Sequence, residues 1–192
     1  GTRILTIQGV EKLHGADHIV TRDRIEAGAF ALAVAASHGD VRLTGIDEIA
    51  LGALVPAMRL AGAELTPENT ADGPALRVRG PQGRALATSV TTEPYPGFAT
   101  DLQAPFMGLM CCASGVSRIR ETIFENRFMH VQELARLGAD ITLQGDTAIV
   151  TGVDELRGAP VMATDLRASM TLVIAGLMAQ GTTRISRVYH LD

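Results

Sequence analysis

Two polar stretches carry the residues best suited to chemistry. Residues 121–130 contain two carboxylates, an amide, a guanidinium and an imidazole, and Asp101 follows the stiff segment EPYPGF at residues 93–98. Each proline restricts its own φ and the residue before it, which predicts a fixed position for Asp101 at a helix N-terminus. A carboxylate there stays ionised and can hydrogen-bond to a substrate hydroxyl or accept its proton. For residues 121–130 the alternative is an ordinary polar helix start, in which His130 is predicted to be structural.

Charged residues also begin two further predicted helices. Asp23 and Asp165 precede apolar runs and are predicted to be N-caps. Arg24 and Arg167 follow them in the first turn, where a cation opposes the helix macrodipole. This unfavourable placement makes both arginines candidates for binding a carboxylate or phosphate. Pairing with a nearby acidic side chain is the alternative.

Composition narrows the classes of function. The net charge of −4 gives no global basic field, so no nucleic-acid partner is expected. The two cysteines, Cys111 and Cys112, are adjacent and suit neither a structural disulfide nor a zinc site, and both are predicted to pack inside an apolar helix. The sequence shows no signal peptide, membrane-spanning run, phosphate loop, dinucleotide fingerprint or metal-ligand cluster. The expectation is a cytoplasmic protein with no membrane partner, no metal and no cofactor.

The elements that position these residues repeat along the chain. A Thr-Asp-like segment is followed by an apolar helix, a glycine where a left-handed C-cap is predicted, and a short strand. The three segments are residues 21–25, 99–103 and 163–167, the glycines are Gly39, Gly115 and Gly181, and the strands are residues 41–43, 117–119 and 183–185. A second helix follows in the first two units, at residues 49–60 and 124–137, and an apolar strand closes each, at residues 76–80 and 148–152.

The repeat also predicts the domain organisation and the fold class. Residues 4–9 match the closing strand at 148–152, so the chain is expected to begin inside an earlier unit. The predicted division is residues 1–16 as the end of a preceding repeat, 17–80 as repeat one, 81–152 as repeat two and 153–192 as a truncated repeat three. Neither helix of a unit can bury its apolar face without a sheet. The prediction is a single α/β (α+β) lobe, residues 1–192, with pseudo-threefold symmetry, buried helices and outer sheets.

Five motifs, in order along the chain, resemble the UDP-N-acetylglucosamine 1-carboxyvinyltransferase family of enolpyruvyl transferases. They are residues 23–28 (DRIEAG), 96–103 (PGFATDLQ), 121–130 (ETIFENRFMH), 163–169 (ATDLRAS) and 189–192 (YHLD). The resemblance covers essentially the whole chain. It implies an inside-out α/β barrel lobe, one of two similar lobes of three repeats each, with the active site between them.

The resemblance also implies a reaction and residue roles. The family moves the enolpyruvyl group of phosphoenolpyruvate to the 3-hydroxyl of UDP-N-acetylglucosamine and releases phosphate, the first committed step of peptidoglycan synthesis. Asp101 is expected to contact that hydroxyl as its general base, and Ile123 to contact the nucleotide sugar through its backbone. Thr100 and Phe124 are expected to line the same pocket. The members expected in the charged network of the cleft are Arg24, Arg127, Asp165 and Arg167.

The resemblance leaves two parts of the family's site outside this sequence: the loop with the reactive cysteine, and an arginine that follows the YHLD motif in the family and faces phosphoenolpyruvate. The family's reactive cysteine lies on the other lobe, and Cys111 and Cys112 do not match it. An isolated chain is therefore expected to be inactive. A lobe of the related 3-phosphoshikimate 1-carboxyvinyltransferase is one alternative, which the ENRFMH run at residues 125–130 argues against. A non-catalytic binding or interaction module derived from the family is the other.

Overall fold

A computed structural model describes residues 4–189 of the 192-residue chain. The α-helices are α1 (Arg24–Ala36), α2 (Glu48–Leu51), α3 (Leu54–Leu60), α4 (Gln103–Met110), α5 (His130–Arg136) and α6 (Leu166–Met178), and a 3-10 helix spans Thr100–Leu102. The strands are β1 (Asp40–Thr44), β2 (Glu64–Thr70), β3 (Gly73–Arg79), β4 (Val90–Thr91), β5 (Val116–Arg120), β6 (Asp140–Gln144), β7 (Thr147–Thr151), β8 (Leu156–Arg157), β9 (Pro160–Met162), β10 (Ala179–Gln180) and β11 (Arg184–Ser186). The chain therefore mixes helices and strands, as an α/β fold does.

The sheets repeat one topology. In the first unit the antiparallel strands run in the order β1-β3-β2, and in the second unit β5-β7-β6 repeat that order. The short strand β4 adds parallel to β5, and β9 pairs with β11 in the same parallel way. The second and third units thus begin alike. The division of the chain into numbered repeats remains a prediction.

The three long apolar helices pack against one another inside the sheets. Helix α4 contacts α1 and α6, and α1 also contacts α6. All eight residues of α4 are buried, which follows from its being apolar on every side. A Cβ at Gly108 would come within 3.1 Å of the Thr171 carbonyl oxygen, so this glycine permits the close approach of α4 to α6. Buried helices with sheets outside them confirm the predicted fold class.

Asp23 and Asp165 cap helices as predicted, and Asp101 differs from both. The Asp23 carboxylate accepts hydrogen bonds from the Ile25 and Glu26 amides at the start of α1. Asp165 accepts from the Arg167 and Ala168 amides at 2.8 and 3.0 Å. Among residues 4–189, no side chain caps the 3-10 helix that contains Asp101, or α4 after it. The middle aspartate is therefore not used as a cap, and its carboxylate points to other partners.

The cap at Asp165 predicts a measurable loss of stability. Replacing Asp165 by Ala should lower the free energy of unfolding by about 1 kcal/mol, because two amides of the 13-residue helix α6 lose their acceptor. Urea denaturation of both proteins measures the difference. Asp17→Ala, in an exposed segment without helix or strand, should change stability by less than about 0.5 kcal/mol. Equal stability of the Asp165 variant and the parent would contradict the capping role.

Three predicted boundaries are wrong. Residues 4–9 form no strand. The predicted helix at 49–60 is two helices, since Gly52 has a φ of 55° and the Ala53 amide donates to the Pro96 carbonyl. Helix α5 begins at His130 rather than at residue 124. The amides just after Glu121 bind that side chain instead of entering a helix.

The predicted helix ends are also partly wrong. Gly115 and Gly181 have positive φ of 112° and 89°, but α4 and α6 end several residues before them. After α1 the left-handed residue is His38, with a φ of 53°, rather than the neighbouring Gly39. The His38 ring hydrogen-bonds with the Pro81 carbonyl at 2.9 Å, which supplies a side-chain contact that glycine lacks.

The cysteine pair lies just past a helix rather than inside one. Helix α4 ends at Met110, Cys111 is its C-cap, and both thiols are free. Cys111 is fully buried and Cys112 is half-buried, and burial raises the pKa of both thiols.

No helix within residues 4–189 has both the length and the apolar character needed to cross a membrane.

Candidate functional site

The stiff segment before Asp101 packs on the first unit. The Pro96 carbonyl accepts from the Ala53 amide at 3.1 Å, and the Tyr95 hydroxyl donates to the Ile49 carbonyl at 3.2 Å. The Tyr95–Pro96 peptide bond is cis. These contacts tie the segment to α2 and α3. The turn that follows places Thr100 and Asp101 at the entrance to α4.

Asp101 lies between two arginines. Its Oδ1 atom accepts from Arg167 Nε at 2.6 Å and from Arg127 Nη1 at 3.2 Å. The side chain of Asp101 is 42% exposed, so the carboxylate remains accessible. Burial raises the pKa of the Asp101 carboxyl, but the hydrogen bonds and charges of Arg167 and Arg127 outweigh burial and leave the pKa below its ordinary value. The group is therefore ionised at neutral pH.

Arg127 joins Asp101 to the loop after β5. Its Nη1 atom also donates to the Thr100 hydroxyl at 2.7 Å, and its guanidinium carbon lies 4.2 Å from the centre of the Phe124 ring. The Arg127 side chain is only 16% exposed. Stacking on an aromatic face and two acceptors together fix the guanidinium plane.

The loop itself is organised by a residue that sequence reasoning did not select, Glu121. This carboxylate is buried and accepts from the Ile123 and Phe124 amides at 2.8 and 3.2 Å. It also accepts from the hydroxyls of Thr92 and Thr100, each at 2.8 Å. The sequence signal that could have identified Glu121 was its place inside the polar motif at residues 121–130. Its partner Thr92 carries no local signal.

The remaining predicted residues lie around this cluster. Asp165 caps the helix that carries Arg167, and its carboxylate accepts from the Arg167 amide. Arg24 stacks over the Tyr95 ring at 5.0 Å and, within residues 4–189, forms no described ion pair with Asp101. His130 is buried, and burial lowers its pKa to about 4, although the charge of Asp165 opposes this shift. His130 is therefore neutral at neutral pH.

The structure thus brings most of the predicted site into one cluster. Hydrogen bonds and stacking join Thr100, Asp101, Ile123, Phe124, Arg127 and Arg167. Arg24 stands apart from it. The YHLD motif extends beyond Tyr189 into residues outside the described part of the chain. Among residues 4–189, no group of three or more His, Cys, Asp or Glu side chains is placed to hold a metal ion.

Solved structures define the class to which this fold belongs. The enolpyruvyl transferase NikO from Streptomyces tendae aligns with 90% of the chain at a TM-score of 0.76 and 24% identity, using 40% of its own length. EPSP synthase from Acinetobacter baumannii aligns with 90% of the chain at a TM-score of 0.66 and 20% identity, using 42% of its own length. The fold is that of an enolpyruvyl transferase lobe.

Sequence comparison gives the family. The model described as EPSP synthase (3-phosphoshikimate 1-carboxyvinyltransferase) matches residues 1–192, and the chain belongs to this enolpyruvyl transferase family. Two relatives are named UDP-N-acetylglucosamine 1-carboxyvinyltransferase. Over all 192 residues, the protein from Allorhizobium ampelinum is 59% identical to this chain and the protein from Magnetococcus marinus is 56% identical. The chain spans 44% and 45% of their respective lengths. The resemblance seen in the sequence is confirmed.

Proposed function

We propose that the chain is one lobe of an enzyme that transfers the enolpyruvyl group of phosphoenolpyruvate to the 3-hydroxyl of UDP-N-acetylglucosamine. Identity of 56–59% to relatives with this name supports the acceptor, whereas the aligned NikO and EPSP synthase structures are only 20–24% identical. The enzyme would work in the cytoplasm at the first committed step of peptidoglycan synthesis. The second lobe, with the reactive cysteine, would complete the site.

The observation that carries the proposal is the accessible carboxylate of Asp101 between Arg127 and Arg167. In the reaction a C–O bond to phosphate breaks, a C–O bond to the sugar oxygen forms, and the hydroxyl proton must leave. Asp101 accepts that proton as general base. Its low pKa keeps it ready as an acceptor, and the two guanidinium groups are placed to stabilise anionic groups that approach it.

The loop after β5 supplies the sugar contact. The Ile123 amide is already bound to Glu121, and no hydrogen bond to the Ile123 carbonyl is described within residues 4–189. The backbone contact to the nucleotide sugar therefore uses the Ile123 carbonyl as an acceptor. Thr100 and Phe124 line the same pocket. Asp165 caps the helix that carries Arg167, and Arg24 lies outside the cluster, stacked over Tyr95. No metal or cofactor takes part in the proposed reaction.

Phosphate release by the complete enzyme tests this function. With phosphoenolpyruvate as donor, UDP-N-acetylglucosamine should support turnover and 3-phosphoshikimate should not. A site built to hydrogen-bond one acceptor rejects another by a ratio of kcat/KM on the order of 10⁴. Turnover with 3-phosphoshikimate alone would assign the enzyme to the other branch of the family, and turnover with neither acceptor would support a non-catalytic module.

The arginine partners of Asp101 predict a pH effect. Arg167 is the larger of the two influences that lower the pKa of Asp101, so Arg167→Met should raise that pKa and move the acid limb of kcat/KM to higher pH. The carboxylate then protonates earlier as pH falls. Profiles of kcat/KM against pH for both enzymes measure the shift. Arg77→Met, which removes a partner of the distant Asp40, should leave the acid limb in place. Identical acid limbs for the Arg167 variant and the parent would contradict the assignment.

A further inference from the structure

Glu121 contacts both halves of the proposed site, which are the loop at Ile123 and the chain of hydrogen bonds through Thr100, Arg127 and Asp101. Its Oε1 atom accepts from the Ile123 and Phe124 amides and from the Thr92 hydroxyl. Within residues 4–189, the one donor described for its Oε2 atom is the Thr100 hydroxyl. One oxygen therefore holds the sugar-contacting loop, and the other holds the residue next to Asp101.

The connection continues from Thr100 to the carboxylate of the site. The Thr100 hydroxyl donates its proton to Glu121 and accepts from Arg127 Nη1, which also donates to Asp101. Because a hydroxyl has only one proton, the bond to Glu121 leaves the Thr100 oxygen as a pure acceptor facing Arg127. This direction fixes the position of Arg127 beside Asp101.

Burial makes the arrangement rigid. Glu121 is 4% exposed and Thr92 is fully buried. Thr92 Oγ1 in turn accepts from the Thr122 amide at 2.8 Å, so the loop is bound at three consecutive amides. A buried carboxylate with four donors is a satisfied group, and removing part of the network leaves the rest without partners.

We infer that Glu121 is a positioning residue that sets the geometry of the Thr100–Arg127–Asp101 chain through one oxygen and the Ile123 loop through the other. It does not contact the reacting atoms. The inference rests on the proposed function, because it assigns the two halves to acceptor binding and to proton removal.

Glu121→Gln in the complete enzyme separates the two halves. The amide oxygen takes the place of Oε1, where three donors converge, and the amide nitrogen then faces Thr100 as a donor. The Thr100 proton loses its acceptor while the loop keeps its bonds. We expect kcat to fall about tenfold or more, the range for one lost hydrogen bond to a charged group, with the KM for UDP-N-acetylglucosamine changed by less than about threefold. Glu121→Ala breaks both halves, so it should also raise that KM about tenfold.

Thr100→Val removes the same hydrogen bond from the other side and, with it, the acceptor that Thr100 offers to Arg127. In the double variant of Glu121→Gln and Thr100→Val, the losses in kcat should not multiply, because both changes remove one shared interaction. Glu64→Gln makes the same chemical change at an exposed glutamate on β2 and should leave kcat and KM unchanged. Thermal unfolding of each variant checks that the proteins are folded.

Several outcomes overturn the inference. They are a Glu121→Gln enzyme within twofold of wild-type kcat, an effect on KM alone, and multiplied losses in the double variant. If Glu121→Gln does not fold, a Thr100→Val enzyme with wild-type kcat overturns it. A complete wild-type enzyme that releases no phosphate refutes the proposed function itself, which is a distinct result from an active enzyme insensitive to Glu121.

Discussion

Replacing Asp101 by Asn in the complete enzyme should lower kcat about 10²- to 10⁴-fold, the range for loss of a general base. The amide keeps the size of the carboxylate but cannot accept the proton of the sugar hydroxyl. It also carries no charge to hold Arg127 and Arg167, which contact Asp101 at 3.2 and 2.6 Å. Steady-state phosphate release at saturating phosphoenolpyruvate and UDP-N-acetylglucosamine measures the loss.

Asp40 provides a matched control for this substitution. It is also held by two arginines, Arg77 and Arg79, whose hydrogen bonds lower its pKa to about 2, although burial opposes the shift. Asp40 lies on β1 and the two arginines lie on the neighbouring strand β3 of the first unit, where all three side chains are exposed. Asp40→Asn should therefore keep wild-type turnover. Turnover near the wild-type value in the Asp101 variant would remove Asp101 from the chemistry, and an equal loss in both variants would indicate a general effect of breaking an Asp–Arg cluster.

Local signals were sufficient for the scaffold of the site. The aspartates before α1 and α6 cap those helices, and their positions follow from short-range rules for helix starts. The buried helices follow from apolar residues on every side. The proline-containing segment before Asp101 distinguished it from the other two aspartates. These features depend on neighbours within a few positions of the chain.

The loop between β5 and α5 shows where local reasoning stops. Residues 124–129 have the composition of a helix start, yet the helix begins at His130. The Ile123 and Phe124 amides are bound to Glu121, and the same carboxylate reaches Thr92 and Thr100, far away in sequence. A long-range network competes with local helix propensity here and prevails. The residue that organises the site could therefore be found only after the strands were placed.

The chain alone should release no detectable phosphate from phosphoenolpyruvate and UDP-N-acetylglucosamine. It spans only 44–45% of the relatives described above, and the proposed site lies between two lobes. Catalysis depends on groups held in place on both sides of the substrates, and misplacing such groups costs orders of magnitude in rate. Phosphate-release assays on the chain and on the complete enzyme, at equal concentration, make the comparison.

Binding of UDP-N-acetylglucosamine distinguishes a folded chain with an incomplete site from an unfolded chain. Asp101, Thr100 and the Ile123 loop are held together by contacts within this chain, so half of the proposed pocket forms without the second lobe. That half is open to water, which weakens its polar interactions with the ligand. We therefore expect UDP-N-acetylglucosamine to bind the folded chain with a Kd of about 1 mM, or about 4 kcal/mol. Calorimetry measures this affinity, and Asp101→Asn in the same chain should reduce it. Robust turnover by the isolated chain would show that one lobe holds the whole catalytic apparatus, and would contradict the two-lobe site on which the roles of Asp101, Arg127 and Arg167 are based.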